Sequence, residues 1–273
     1  MSRADALVQR DNIQLMPYSQ YIHLPTLFQF LRLTMPSSVL DVGVGSGKMG
    51  FVARDVLDIF MGGKYKKEDW TCRIDGIEAF PDYIQPHHHE IYNNIYLGDA
   101  YHALDTVGSY DLIILGDVLE HFEKEKAWRF LDKCAQHCNE FLIINIPLGE
   151  WDQAALFGNC YEEHLSTGDI SEFEPFITDK RVFSGAYACL LIKKERYISF
   201  RRGEEREPAA PCELTADIQQ ELAYITVLIN ENRIQEAMER VKKIAEVAPF
   251  PQSVEMRLLI EQLEELGKKL YLL

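Results

Sequence analysis

The stretch Val39-Leu40-Asp41-Val42-Gly43-Val44-Gly45-Ser46-Gly47-Lys48-Met49-Gly50 decides how the rest of this 273-residue chain is read. Its apolar start is broken by glycines at alternate positions, and a periodic apolar segment follows. That is the pattern of a buried strand turning sharply into a helix. Without a Cβ, Gly43, Gly45 and Gly47 can take φ > 0 and let a ligand lie against bare backbone, faced by the free N–H groups that open the next helix. The loop reads as a nucleotide seat. A Walker loop would need glycine at position 42 and serine or threonine at 49, which Val42 and Met49 exclude. Gly45-Ser46-Gly47-Lys48-Met49-Gly50 fits the dinucleotide fingerprint G-x-G-x-x-G, whose acidic ribose partner should follow after about 20 residues. Here the first acidic strand end, Glu78, comes 31 residues after Gly47. A carboxylate at Asp41, two residues before the first glycine, would repel a pyrophosphate and suits a ligand carrying an ammonium and a sulfonium.

Three later acidic residues each end an apolar run. Glu78 closes Arg73-Ile74-Asp75-Gly76-Ile77-Glu78, Asp99 follows Ile95-Tyr96-Leu97-Gly98, and Asp117 follows Tyr110-Asp111-Leu112-Ile113-Ile114-Leu115-Gly116. In an open parallel sheet the carboxyl ends of the strands line one crevice, so these side chains would converge on the glycine loop. Taken with this ordered set, Asp41-Val42-Gly43-Val44-Gly45-Ser46-Gly47 resembles the first motif of the class I S-adenosylmethionine-dependent methyltransferases. The resemblance implies an α/β, Rossmann-like fold: a mostly parallel seven-stranded sheet with helices on both faces, here with a C-terminal helical extension. It also implies S-adenosyl-L-methionine as cofactor. Asp41 with Gly43, Val44, Gly45 and Gly47 would hold the methionine end, Glu78 with Ala79 the ribose hydroxyls, and Asp99 with Ala100 the adenine edge. Asp117 and Val118 would lie nearest the methionine part or the acceptor.

Gly116-Asp117-Val118-Leu119-Glu120-His121-Phe122 is similar to the D-x-L-E-H segment of the small-molecule branch of that family. His121 is one candidate general base, since an imidazole titrates near working pH; a helix-capping or cofactor-packing role is the alternative. After the apolar run Phe141–Pro147, the segment Trp151–Thr167 is rich in aromatic and polar side chains, and long loops after strand ends are where a sheet enzyme builds its substrate pocket. Within it Glu162-Glu163-His164 looks like a Glu-x-His element of relatives, which makes His164 the second base candidate, against a structural hydrogen bond to the loop. No Asn/Asp-Pro-Pro-aromatic and no Pro-Cys nucleophile of the cytosine C5 type follows the fourth strand, so nucleobase chemistry is not expected.

A net charge of −15 and a pI near 5.0 argue against a nucleic-acid partner, because phosphate-backbone binding depends on clustered Lys and Arg. No run of 18 apolar residues occurs, and the N-terminus lacks a basic region followed by an apolar stretch, so neither a membrane span nor a secretory leader is expected. Six cysteines without a repeated short spacing suit free thiols in a reducing, cytoplasmic setting. His87-His88-His89 cannot share one ion from consecutive helix positions, so the cluster is read as surface and no metal is expected.

The chain divides into an N-terminal helical cap (1–36), a cofactor-binding domain (37–202), a charged, proline-containing linker (203–216) and a helical extension (217–273). Tyr18, Tyr21 and His23 are candidate lid residues over the cofactor. Val182–Ile192 and Tyr197–Phe200 read as closing hairpin strands. In the extension, 217–229, 234–248 and 253–266 read as amphipathic helices that would cap the main domain, dimerise or bind a protein partner. The expected function is methyl transfer to a small-molecule acceptor. The alternatives are an NAD-dependent oxidoreductase and a noncatalytic S-adenosylmethionine-binding scaffold.

Overall fold

The apolar runs form the strands of one sheet, in a computed structural model that describes residues 21–155 and 158–204 together with Tyr224, Ile225, Val227, Leu228, Arg233, Glu236, Ala237 and Arg240. The strands are β1 (Ser38–Val42), β2 (Arg73–Glu78), β3 (Asn94–Leu97), β4 (Tyr110–Gly116), β5 (Cys138–Pro147), β6 (Asp179–Phe183) and β7 (Tyr187–Lys193). Their order is β3-β2-β1-β4-β5-β7-β6. Strands β1 to β5 pair in parallel, while β7 runs antiparallel to β5 and to β6. The result is the expected Rossmann-like α/β sheet, mixed at one edge.

Near-continuous apolar strands mean a sheet covered on both faces. On one side α1 (Leu24–Thr34) and α2 (Lys48–Arg54, continued by a π-helical turn Asp55–Phe60) bury Leu27, Leu31, Met49, Ala53 and Leu57 against Val39, Leu112 and Ile114. On the other, α4 (Ala100–Ala103), α5 (Lys124–His137) and α6 (Lys194–Arg201) cover Leu40, Val42, Ile113 and Leu115. A short α3 (Pro86–Ile91) precedes β3. Side chains alternate along a strand, so Leu40 and Val42 share one face of β1 while Val39 and Asp41 share the face beneath α2.

One expectation is corrected. Tyr197–Phe200 is helical: it lies in α6, where Tyr197 Oη donates to Asp132 Oδ1 at 2.7 Å and Arg201 forks onto the same carboxylate at 2.7 and 2.5 Å. A charged Lys194-Glu195-Arg196 start and this anchor on α5 outweigh the strand propensity of Tyr197 and Ile198. The closing hairpin is instead β6–β7. Cys134 and Cys138 are buried free thiols, as are Cys72 and Cys189, while free Cys160 is exposed.

Tyr18 and the rest of the first twenty residues, Cys212, the linker and most of the extension, including 253–266, lie outside the described residues. The chain forms two compact units, Met1–Glu205 and Arg206–Leu273. In the second, the described pairs Tyr224–Ile225, Val227–Leu228 and Glu236–Ala237 are helical, and Ile225, Leu228 and Ala237 are buried. No helix among the described residues is long and apolar enough to cross a membrane.

Candidate functional site

The chain leaves β1 for β2 on one side and returns to β4 on the other, so the strand order reverses between β1 and β4. A crevice must open there, at the carboxyl ends of the strands. It holds a cleft of about 430 Å³, within the usual range of a small-ligand site. Gly43, Gly45, Glu78, Ala79, Asp99 and Ala100 line one part of it. Asp117 and Val118, then His121 and His164, line the other.

The glycine loop is built by side chains behind it. Gly43, Gly45 and Gly47 all have left-handed φ, of 79°, 51° and 81°. A Cβ on Gly47 would also stand 2.7 Å from the ring of His88, and one on Gly50 would fall 2.3 Å from the Tyr92 hydroxyl. His88 is fully buried. Its Nδ1 accepts the Gln85 N–H at 2.8 Å, so Nε2 carries the proton and donates to the Gly45 carbonyl at 3.1 Å. Burial lowers its pKa, in keeping with a neutral ring. The histidine cluster is therefore not simply surface. His88, the third residue of α3, clamps the loop from behind. His87 Nε2 reaches the Ser46 carbonyl at 3.2 Å.

Asp41 is the main correction. It is 0% exposed and absent from the cleft lining, because strand alternation turns it under α2. There Oδ2 accepts the Gly50 N–H at 3.0 Å and the Tyr92 hydroxyl at 2.6 Å. Burial pushes its carboxyl up to about 7 despite those two hydrogen bonds. Asp41 holds the helix start in place; it does not line the cleft. Val44 likewise packs inward, its Cγ2 only 2.4 Å from where a Cβ on Gly76 would stand, and Gly47 is buried as the residue before α2. Neither lines the cleft.

Glu78 does face the cleft, 5% exposed. Its Oε2 accepts the Gly45 N–H and its Oε1 the Phe80 N–H, both at 2.8 Å. Burial raises its pKa while these donors oppose the shift. With about four lone-pair sites on the carboxylate, capacity remains for a ligand hydroxyl. Asp99 caps α4, accepting from the His102 N–H at 3.3 Å, which fixes its carboxylate at the cleft edge. Asp117 has φ 57°, a left-handed value at the end of β4, and such strain in a non-glycine residue clusters at ligand sites. Burial lowers the Lys48 ammonium to about 8, opposed by the charge of Asp117. Tyr21 is exposed with the Lys48 ammonium 4.6 Å over its ring, and His23 is buried; neither lines the cleft.

His121 and His164, 43 residues apart in sequence, meet with ring centroids 5.0 Å apart. His121 Nδ1 pairs with the Glu163 carbonyl at 3.1 Å and His164 Nδ1 with the Trp151 carbonyl at 2.7 Å. A carbonyl cannot donate, so each Nδ1 carries the proton and each Nε2 keeps its lone pair. Burial lowers His121 to about 4; His164 adds to the shift, and the Glu163 and Asp117 carbonyls oppose it. The loop is tied to the strand end by backbone bonds: Leu165 and Ser166 N–H donate to the Glu120 carbonyl at 2.8 and 3.1 Å, and His164 N–H to that of Gln153 at 2.9 Å. Beside the imidazoles Glu120 is 2% exposed, and Asn159 Nδ2 donates to Glu162 Oε1 at 3.3 Å. Glu120 stood in the D-x-L-E-H segment without a role assigned to it in the sequence.

No family model matches this sequence, and no curated protein matches it. Among solved structures it is similar to magnesium protoporphyrin IX methyltransferase from Synechocystis PCC 6803 with bound SAH (14% identity, TM-score 0.44, 70% of this chain and 94% of that one). It is also similar to an O-methyltransferase family protein from Burkholderia thailandensis (12% identity, TM-score 0.43, 62% and 54%) and to TehB from Haemophilus influenzae (15% identity, TM-score 0.44, 62% and 61%). The chain thus spans a little over half the length of the Burkholderia protein. At such identities and TM-scores the functional assignment falls to the geometry of the cleft itself.

Proposed function

We propose that this chain is an S-adenosylmethionine-dependent methyltransferase acting on a small-molecule acceptor. One observation carries the proposal: six carboxylic side chains (Glu78, Asp82, Asp99, Asp117, Glu120 and Glu162) line the cleft, and among the described residues no Lys or Arg does. A dinucleotide would bring a diphosphate into that field and be repelled, whereas a ligand with an ammonium and a sulfonium is attracted. The burial that raises the pKa of Glu78 and Glu162 is offset when a cation enters beside them.

In this reading Glu78 accepts from the ribose hydroxyls while keeping Gly45 in place, and Asp99 with the Ala100 N–H meets the adenine edge. The bare backbone at Gly43 and Gly45 lets the methionine moiety approach, with Asp117 toward its ammonium. When bound, the cofactor supplies an activated methyl group that passes to the acceptor as the carbon–sulfur electron pair returns to sulfur. The acceptor occupies the end lined by His121 and His164, whose Nε2 lone pairs can hold a hydroxyl or amine proton. Alignment of the nucleophile in line is the main contribution, worth about 7–11 kcal/mol in well-ordered reactions.

Calorimetric titration with S-adenosylmethionine, S-adenosylhomocysteine and NAD tests the proposal. The two adenosyl compounds bind and NAD does not; NAD binding in the absence of adenosyl binding overturns it.

A further inference from the structure

The acceptor end of the cleft holds chemistry beyond that reading. One carboxylate oxygen of Glu120 and one nitrogen of each of His121 and His164 lie within 4.8 Å of one another. Ligand atoms 2.0–2.2 Å from a single ion stand about 3–4.4 Å apart, so movements of up to about 1 Å close the set. We infer that Glu120, His121 and His164 bind a divalent first-row transition ion of the kind imidazole favours, such as Co2+, Mn2+, Fe2+ or Zn2+, departing from the sequence expectation of no metal.

Two features point to a cation. Glu120 is 2% exposed and its Oε2 has no hydrogen-bond partner, an arrangement that is costly for a carboxylate unless a positive charge completes it. Both imidazoles pass their Nδ1 protons to backbone carbonyls, the second-sphere pattern that fixes the tautomer and orientation of a ligating histidine and leaves Nε2 for the ion. The loop bearing His164 is fastened to the Glu120 carbonyl by two backbone bonds, so the set is assembled before any ion arrives.

Two imidazoles and a carboxylate leave coordination positions for ligands from the cleft, the donor set of open sites that take oxygen ligands. In the methyltransferase reading, on which this step rests, the ion would hold an oxygen of the acceptor and make its hydroxyl more acidic, which selects hydroxyl-bearing acceptors. A nitrogen that ligates an ion cannot also take a proton, so under this inference the two imidazoles position the acceptor and water receives the proton.

The test is Co2+ titration of full-length protein stripped with EDTA and dialysed, read by visible absorption and calorimetry. One Co2+ per chain is expected. His164→Ala and Glu120→Gln should raise its Kd more than about tenfold, and His89→Gln, which alters an exposed imidazole outside the cleft, should leave it unchanged. Absent Co2+ binding, or equal binding in wild type and H164A, overturns the site. H164A alters a half-exposed loop residue and stays informative even where E120Q unfolds. S-adenosylhomocysteine binding to the stripped protein is measured separately: its loss with Co2+ binding intact sinks the methyltransferase reading and leaves the ion site standing.

Discussion

Glu78→Ala is the perturbation whose consequences follow most fully from the structure. In the folded chain the Glu78 carboxylate holds two backbone donors, the N–H groups of Gly45 and Phe80, each at 2.8 Å. In the proposed complex it also accepts from the ribose hydroxyls. Hydrogen bonds to a charged group contribute about 1.5–3 kcal/mol each, so removing the ribose contacts should cost about 3 kcal/mol, close to a 100-fold rise in the Kd for S-adenosylhomocysteine. Loosening of Gly45 could mimic that loss, and a second ligand separates the two. Calorimetry on wild type and E78A with S-adenosylhomocysteine and its 2′,3′-dideoxy analogue forms a cycle. The mutation should weaken the parent ligand about 100-fold and the dideoxy compound about tenfold or less, since only the loop effect remains. Equal losses for both ligands would show that Glu78 shapes the loop without touching the ribose, and the assignment would be refuted.

Three further outcomes follow from the same geometry. Asp41 titrates near 7 when folded and near 3.8 when unfolded, so the native chain holds a proton that the unfolded chain releases between those values. Stability should therefore fall as pH rises from about 4 to 7, and Asp41→Asn should remove about 2–3 kcal/mol of that slope in urea unfolding at pH 5 against pH 8. An unchanged slope would contradict the burial of an ionising carboxyl there. Gly50→Ala would drive a Cβ to 2.3 Å from the Tyr92 hydroxyl, and should cost about 1–3 kcal/mol with a lower thermal midpoint; a wild-type midpoint would contradict the packing. His88→Ala frees the Gly45 carbonyl, and should weaken S-adenosylhomocysteine about tenfold while leaving Co2+ affinity unaltered; unchanged adenosyl affinity would remove the clamp from the account.

Much of the fold was readable because buried parallel strands are near-continuous apolar runs: β2 and β4 have the expected limits, and the glycine loop with its left-handed residues turns where the sequence places it. What the sequence misassigned depends on direction and on distant neighbours. Asp41 was placed against the ligand by its position in the motif, although the alternation that puts Leu40 and Val42 on one face already sends it to the other. Tyr197–Phe200 has strand-forming side chains, and only the Asp132 anchor on α5 makes it helical. His88 hid inside a run of three histidines, because which of three adjacent helical positions is buried depends on what packs over α3. His121 and His164 were each singled out, but their 5.0 Å approach and the buried Glu120 beside them require the return of a loop 43 residues later. No local pattern encodes such a meeting.

The most direct measurement is a crystal structure of the full chain with S-adenosylhomocysteine. The ribose is expected against Glu78, the adenine beside Asp99 and the sulfur between Gly43 and the His121–His164 pair. Density for the compound elsewhere on the chain, or in the cleft with its adenine toward His164, would contradict it.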